Sequence, residues 1–150
     1  MTIIIDTREQ TPLDFGADVQ VTRGTLHTGD YSAPGLEDRV VVERKSLADL
    51  TACVSHERER FWRELERLAV MMSAIVVEAP FRWAWEHRYR ADVHPNALIA
   101  SCMAIQYDYL VPVIWAGDRE SAARWILAFL KMGEKRYGET KQKRSCGQSG

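Results

Sequence analysis

Short apolar runs broken by turn residues alternate along this chain with stretches of helical period, and the two periods divide it into elements. Residues 2–6, Thr-Ile-Ile-Ile-Asp, read as a short buried strand ending on an acid, and residues 7–16, with Pro12 and Gly16, as a loop. Residues 18–22 alternate with period two, which predicts a half-buried strand. In residues 26–32, Gly29 lets the backbone turn sharply into Asp30. A turn at Pro34-Gly35 leads into Val40-Val41-Val42, the start of a β-branched strand that ends in Glu43-Arg44-Lys45. A buried strand has no packing reason to finish in three charges, so this end is the first sign of chemistry.

Ser46-Leu47-Ala48-Asp49 then has the form of a helix start, with Ser46 as N-cap and Asp49 at N3 of a capping box. After a break near Val54-Ser55, residues 56–70 are amphipathic: Phe61, Leu65, Leu68 and Met72 fall on one face, while Arg60–Glu64 and Glu59–Arg63 are spaced to pair on the others. Residues 74–78 predict a buried strand, Pro95-Asn96 opens a helix to about Tyr107, and residues 110–115 predict a strand that Pro112 assigns to an edge. Asp118 caps a last helix to about Lys135, and residues 138–150 are expected to form a disordered basic tail after a domain spanning 1–137. The order predicts an α/β three-layer sandwich, a central mixed sheet with helices on both faces.

Composition sets limits on this picture. The 150 residues suit one domain with a core of its own, and the apolar runs fall well short of the ~18 residues that span a bilayer. No charged segment followed by an apolar stretch opens the chain, so a cytoplasmic location is expected, or a nuclear one in a eukaryotic host. Cys53, Cys102 and Cys146 match neither a zinc nor a disulfide pattern. The net charge of −1 excludes nucleic-acid binding by bulk charge, but residues 131–144 carry +4 and leave −5 for the remainder. An acidic body that holds a metal beside a basic edge fits that split, and so does an ordinary protein with a solvated basic tail.

On a strand, Glu43 and Lys45 leave the same face and Arg44 the opposite one. Phosphodiester hydrolysis needs a divalent cation to neutralise charge and activate water, plus a cationic group near the developing charge. A carboxylate and a lysine side by side provide one ligand and one water-orienting group, and Asp30 is a natural second carboxylate if its strand neighbours residues 40–45. Acid, gap, Glu-x-Lys is the nuclease pattern written PD-(D/E)xK, although Glu-x-Lys alone also describes many solvated strand faces.

Taken together, Gly29-Asp30-Tyr31 and Glu43-Arg44-Lys45-Ser46-Leu47-Ala48-Asp49 closely resemble the GDY and ERKxxxD signature of the XPF-type structure-selective endonucleases. Ile5-Asp6-Thr7-Arg8-Glu9 is similar to that family's first strand and turn, and the likeness continues more loosely through Arg60-Phe61, Glu64-Leu65, Ile75–Glu78 and Ala97–Leu130. The resemblance implies a restriction-endonuclease-like fold and a DNA endonuclease of repair or recombination. Cutting is expected beside branch points such as 3′ flaps or forks, leaving 5′-phosphate and 3′-hydroxyl ends. By the same resemblance, Asp30 and Glu43 ligate Mg²⁺ (or Mn²⁺), with Asp6 a further ligand or an orienting acid. Lys45 positions the attacking water or stabilises charge, Arg8 and Arg44 engage phosphate or brace the acids, and Arg60 adds a DNA contact. Asp49 closes the motif but serves equally as a helix cap, and Glu9 and Tyr31 lean towards structural roles. Family members carry a tandem helix-hairpin-helix module or a partner that has one. Residues 138–150 hold no Gly-x-Gly hairpin, which leaves junction selectivity open and makes a helix-hairpin-helix-bearing partner a candidate for supplying it.

Residues 81–90 interleave Phe81, Trp83, Trp85 and Tyr89 with Arg82, Arg88 and Arg90, as a surface that stacks on unpaired bases does, and as a helix with packed aromatics and solvated arginines does equally. His27, His56, His87 and His94 form no ligand spacing; His56 is the candidate for lying near the site. The apolar helix at 122–130, with that at 97–107, is expected either to form a homodimer face or to be buried in its own subunit. Two other functions stay open: a catalytically silent DNA-binding or scaffolding module, and a nicking or resolving nuclease without branch selectivity.

Overall fold

A computed structural model describes the backbone of residues 1–146 and the side chains through Gly138. Strands β1 (Thr2–Asp6), β2 (Gln20–Gly24), β3 (Tyr31–Ser32) and β4 (Val40–Lys45) are followed by helices α1 (Leu47–Val54) and α2 (Arg58–Ala69). Strand β5 (Met72–Val77), helices α3 (Phe81–Trp85) and α4 (Pro95–Tyr109), strand β6 (Val113–Trp115) and helix α5 (Arg119–Cys146) complete the order. The strands form one sheet in the order β2-β1-β3-β4-β5-β6. The β1–β2, β4–β5 and β5–β6 pairs are parallel and β3 runs antiparallel to both its neighbours, which makes the sheet mixed.

Alternation along the central strands assigns a core to each face. Val41, Ile75 and Val77 pack with Leu50, Phe61, Leu65, Leu68, Leu98 and Ile105 from α1, α2 and α4. Val40, Val42 and Val76 turn the other way and pack with Ile126 and Leu130 of α5. Both faces are covered, as the predicted three-layer sandwich requires. Gly133 lets α5 lie close on β4: a Cβ there would stand 3.2 Å from both methyls of Val40.

Several elements differ from their sequence assignments. The period-two segment expected at 18–22 pairs two residues later, as β2, and is exposed along its length except at the partly buried Gly24. It is an outer strand of the sheet, and alternation alone does not bury a strand that lacks a covering layer. Met72, expected on the apolar face of α2, begins β5 and is 57% exposed. β6 is the other edge, in agreement with Pro112 just before it. The backbone of α5 continues through Gly138 to Cys146, beyond the end expected near Lys135. Of the disordered basic tail expected at 138–150, the side chains after Gly138 lie outside the described residues. Cys53 and Cys102 are buried and free. No helix among the described residues is long and apolar enough to cross a membrane.

Candidate active site

Strand β4 delivers its charged end to both sides of the sheet. Glu43 and Lys45 share the face of Val41, under α1 and α2, and Arg44 shares the face of Val40 and Val42. The chain from Gly29 to Asp30 passes between β1 and β4 and is tied to both: the Asp30 N–H donates to the Val42 carbonyl at 2.8 Å, and the Asp6 N–H donates to the Asp30 carbonyl at 2.8 Å. Gly29 makes this path possible. Its φ is +85°, and a Cβ would stand 2.9 Å from Val41 Cβ and 3.3 Å from the Val42 carbonyl. The Asp30 carboxylate is held by the Arg44 N–H, which donates to Oδ2 at 2.8 Å.

These paths converge on a cleft of roughly 170 Å³ whose lining includes Asp30, Glu43 and Lys45. Lys45 Nζ lies 3.0 Å from Glu43 Oε1 and above the Phe61 ring at 5.6 Å. Burial and the neighbouring Asp30 push the Glu43 carboxyl well above the usual range, with Lys45 opposing and Glu64 adding to the rise. Burial also raises Asp30, to about 6, against the Arg44 N–H that lowers it. The Lys45 ammonium loses stability by burial, but Glu43 and Glu64 more than restore it, so it stays charged. Around Lys45 the three carboxylates Asp30, Glu43 and Glu64 outnumber the one ammonium. Such a cavity favours a divalent cation with hard oxygen ligands.

The other expected residues separate into two groups. Arg8 and Arg60 line the same cleft. Asp6 lines it too, but both its oxygens are engaged. Oδ1 accepts from the Leu26 N–H at 2.8 Å and from Arg8 Nη2, and Oδ2 accepts from the Arg8 N–H and from Arg8 Nε at 2.7 Å. Burial would raise its pKa, but these donors, led by the Arg8 side chain, bring it below the ordinary value. Of the two roles expected for Asp6, the geometry matches the orienting one, with Arg8 as the group oriented. Among the described residues no set of three or more His, Cys, Asp or Glu side chains is placed to share a metal ion. Asp30 and Glu43 are the cleft carboxylates that could hold a metal ion, and Mg²⁺ commonly takes one or two carboxylates and keeps several waters. The buried Thr28 hydroxyl, also at the cleft, has no hydrogen-bond partner, which points to an ordered water or ligand there.

Arg44 is not brought to the cleft. On the opposite face its guanidinium donates to Glu9 at 2.7 and 2.8 Å, to Glu78 at 2.9 Å and to Thr11 at 3.0 Å. With these bonds in place and a side chain only 9% exposed, the geometry of Arg44 favours the bracing one of its two expected roles over a contact with phosphate. Arg44 braces the loop after β1 against β4 and β5. Glu9 completes that brace and Tyr31 supports it: the Tyr31 hydroxyl donates to Glu9 at 3.4 Å and accepts from the Leu13 N–H at 3.0 Å. Asp49 sits in the reciprocal capping box with Ser46 and does not line the cleft.

Glu64, Arg67 and Thr28 line the cleft and were not expected there; of the four histidines, His27 lines it, whereas His56, the one expected near the site, lines a separate concavity beside α1. Spacing alone assigns Glu64 to a surface pair with Arg60. The signal was in α2 itself. Phe61, Leu65 and Leu68 face the core, so the stripe one residue earlier, Arg60-Glu64-Arg67, lies beside it and faces the end of β4.

Mixed sheet, bracing arginine, and a carboxylate pair with a lysine at the end of β4 define a nuclease domain of the XPF type. XPF from Aeropyrum pernix, solved in complex with DNA, superposes with a TM-score of 0.71 and 27% identity over 90% of this chain and 66% of that one. A second structure of XPF from Aeropyrum pernix gives a TM-score of 0.71 and 27% identity over 89% of this chain and 61% of that one. The chain belongs to the ERCC4 domain family, whose profile matches residues 5–129. A Methanocaldococcus jannaschii protein carrying the name ATP-dependent RNA helicase MJ1505 is 29% identical over 146 residues, 95% of this chain. This chain spans 16% of that protein's length.

Proposed function

We propose that the chain is a divalent-metal-dependent DNA endonuclease that cuts near branch points such as 3′ flaps or forks and leaves 5′-phosphate ends. The observation that carries this reading is the convergence of Asp30 with Glu43 and Lys45 of β4, from two segments, in one cleft lined also by Arg8, Arg60 and Arg67. Asp30 and Glu43 would hold Mg²⁺ or Mn²⁺, and the bound ion would supply Lewis-acid stabilisation of the phosphate and a more acidic water. Lys45, held 3.0 Å from Glu43, keeps its proton and orients the attacking water or offsets charge on the phosphorane. Asp6 fixes the Arg8 guanidinium at the mouth, where Nη1 has no bond of its own among those formed to Asp6 and Leu26. Arg60 and Arg67 would grip the strand through its phosphates.

The family membership and the DNA complex of the Aeropyrum XPF support DNA as the substrate. Branch preference rests on the resemblance, and a helix-hairpin-helix-bearing partner would supply it. For the homodimer through the C-terminal helices, α5 offers little, since Ala122, Ala123, Ile126 and Leu130 are buried in its own core. The exposed Met103, Tyr107 and Leu110 at the end of α4 are the surface that favours it. The test is cleavage of labelled duplex, 3′-flap, fork and single-stranded DNA with Mg²⁺ or Mn²⁺, by wild type, Glu43→Gln and Lys45→Met. Metal-dependent cutting that falls at least a hundredfold in both variants is expected. Binding without cutting by wild type under every condition would sink the reading in favour of a silent DNA-binding module.

A further inference from the structure

On the far side of α1 from the Cys53 side chain lies a second, larger concavity of roughly 380 Å³, within the ~300–1,000 Å³ range of small-ligand sites. From α1 it is lined by Leu47, Ala48, Thr51 and Ala52, a few residues after Lys45, with His56 just beyond the helix. Its walls are Trp83 and Tyr89, and its rim carries Arg88 and Arg90. Tyr89 is held firmly: its hydroxyl donates to the Val93 carbonyl at 2.7 Å, and its ring stacks on His87 at 4.4 Å between centroids. His87 adopts a left-handed φ of 56°, a strained conformation for a residue with a side chain, and donates from Nε2 to the Ala91 carbonyl at 3.3 Å. Strain of this kind persists where surrounding structure enforces it and clusters at ligand sites. Trp83 is 37% exposed, and Arg90 makes none of the ion pairs or hydrogen bonds that tie Arg82 and Arg88 to Glu86.

We propose that this pocket takes an unpaired nucleobase of the DNA held in the cleft, stacked on Trp83 or Tyr89, with Arg90 on the adjoining phosphate. The occupant follows from the lining: aromatic Trp83 and Tyr89, small apolar residues of α1, Thr51 with its hydroxyl donated to the Ala48 carbonyl at 2.8 Å, and His56, Arg88 and Arg90 as the remaining polar groups suit a base joined to a phosphodiester and held by stacking. One helix separates the pocket from the cleft, and a helix is about 10 Å across, close to three nucleotide steps of duplex at about 3.4 Å each. The base is therefore expected within about two to four nucleotides of the cut. The proposal rests on the endonuclease reading and names the feature by which this domain itself would sense unpaired DNA beside the cleavage point.

The experiment is an abasic scan. Fork and flap DNAs, each lacking one base at successive positions about the cut, are titrated by anisotropy against the full chain carrying Glu43→Gln, so that the DNA stays intact. A single position should lose affinity by about five- to 150-fold, the worth of one base–aromatic stack. Ala48→Phe, on the exposed surface of α1, fills the pocket without deleting a core contact. It should weaken intact DNA to the level of the abasic DNA and leave the abasic complex unchanged. Trp83→Ala should behave likewise, and Arg90→Ala should weaken both by a similar factor. A flat scan, or an Ala48→Phe protein that binds every DNA as its parent does, overturns the pocket. If wild type still cuts with metal in that case, the nuclease reading stands alone. If the chain neither binds nor cuts DNA, both fall.

Discussion

Replacing Asp30 by asparagine separates what the cleft does for stability from what it does for chemistry. Asp30 is partly buried at the cleft wall, and burial raises its carboxyl from the ordinary 3.8 to about 6. The folded chain therefore keeps a proton that the unfolded chain has released between about pH 4 and pH 6. Because the folded state binds more protons there, metal-free stability falls as pH rises through that window and levels off above it. The difference of about two units corresponds to about 3 kcal/mol at neutral pH, and solvation of the open cleft reduces this towards ~1 kcal/mol. Asparagine is uncharged at every pH and can still accept the Arg44 N–H. Asp30→Asn is thus expected to stabilise the metal-free protein by ~1–3 kcal/mol at pH 7.5 and by almost nothing below pH 3.5. For a chain of this size that is roughly 2–10 °C in Tm, read by thermal melts in EDTA across pH 3.5–8. Adding Mg²⁺ should raise the Tm of wild type and not of the variant, and cleavage should be lost. A variant less stable than wild type at pH 7.5, by the same amount as at pH 3.5, would refute the reasoning, since the carboxylate would then be a structural asset rather than charge waiting for a cation.

Three further outcomes follow from the same geometry. Arg44→Ala leaves Glu9 buried without its guanidinium partner and Glu78 with the more exposed Arg119 alone, and should cost about 3–5 kcal/mol in urea unfolding, while DNA affinity per folded molecule stays near wild type; a large loss of affinity with unchanged stability would restore Arg44 to the DNA surface. Gly29→Ala combines a positive φ with a 2.9 Å approach to Val41 Cβ, and should cost at least ~2 kcal/mol and most of the activity; a neutral effect in thermal melts would show that the turn into Asp30 relaxes freely. If the end of α4 is the homodimer face, Tyr107→Glu, at a residue 82% exposed, should convert a dimer to a monomer in sedimentation without lowering monomer stability; a dimer that survives it must use another surface.

Local rules carried the chemistry a long way. Period two along β4 placed Glu43 and Lys45 together and Arg44 opposite, the capping box at Ser46 and Asp49 formed as spaced, and the glycine before Asp30 took the turn that only a residue without Cβ tolerates. Each of those depends on contacts within a few residues or on the geometry of a single strand. What the tertiary structure decided depends on partners far apart in the chain. Arg44 became a brace because Glu9 and Glu78, 35 and 34 residues away, meet on the α5 face of the sheet. Asp6 became an orienting acid because the Leu26 N–H, 20 residues on, completes the set of donors that Arg8 begins. Glu64 left its apparent surface pair because three core residues of α2 set the rotation of that helix over the end of β4. A sequence specifies which side of an element a charge leaves, since the backbone repeat does that alone. Which other charge waits there is set only when the sheet order brings distant strands side by side, and with it the difference between a ligand, a brace and a phosphate contact.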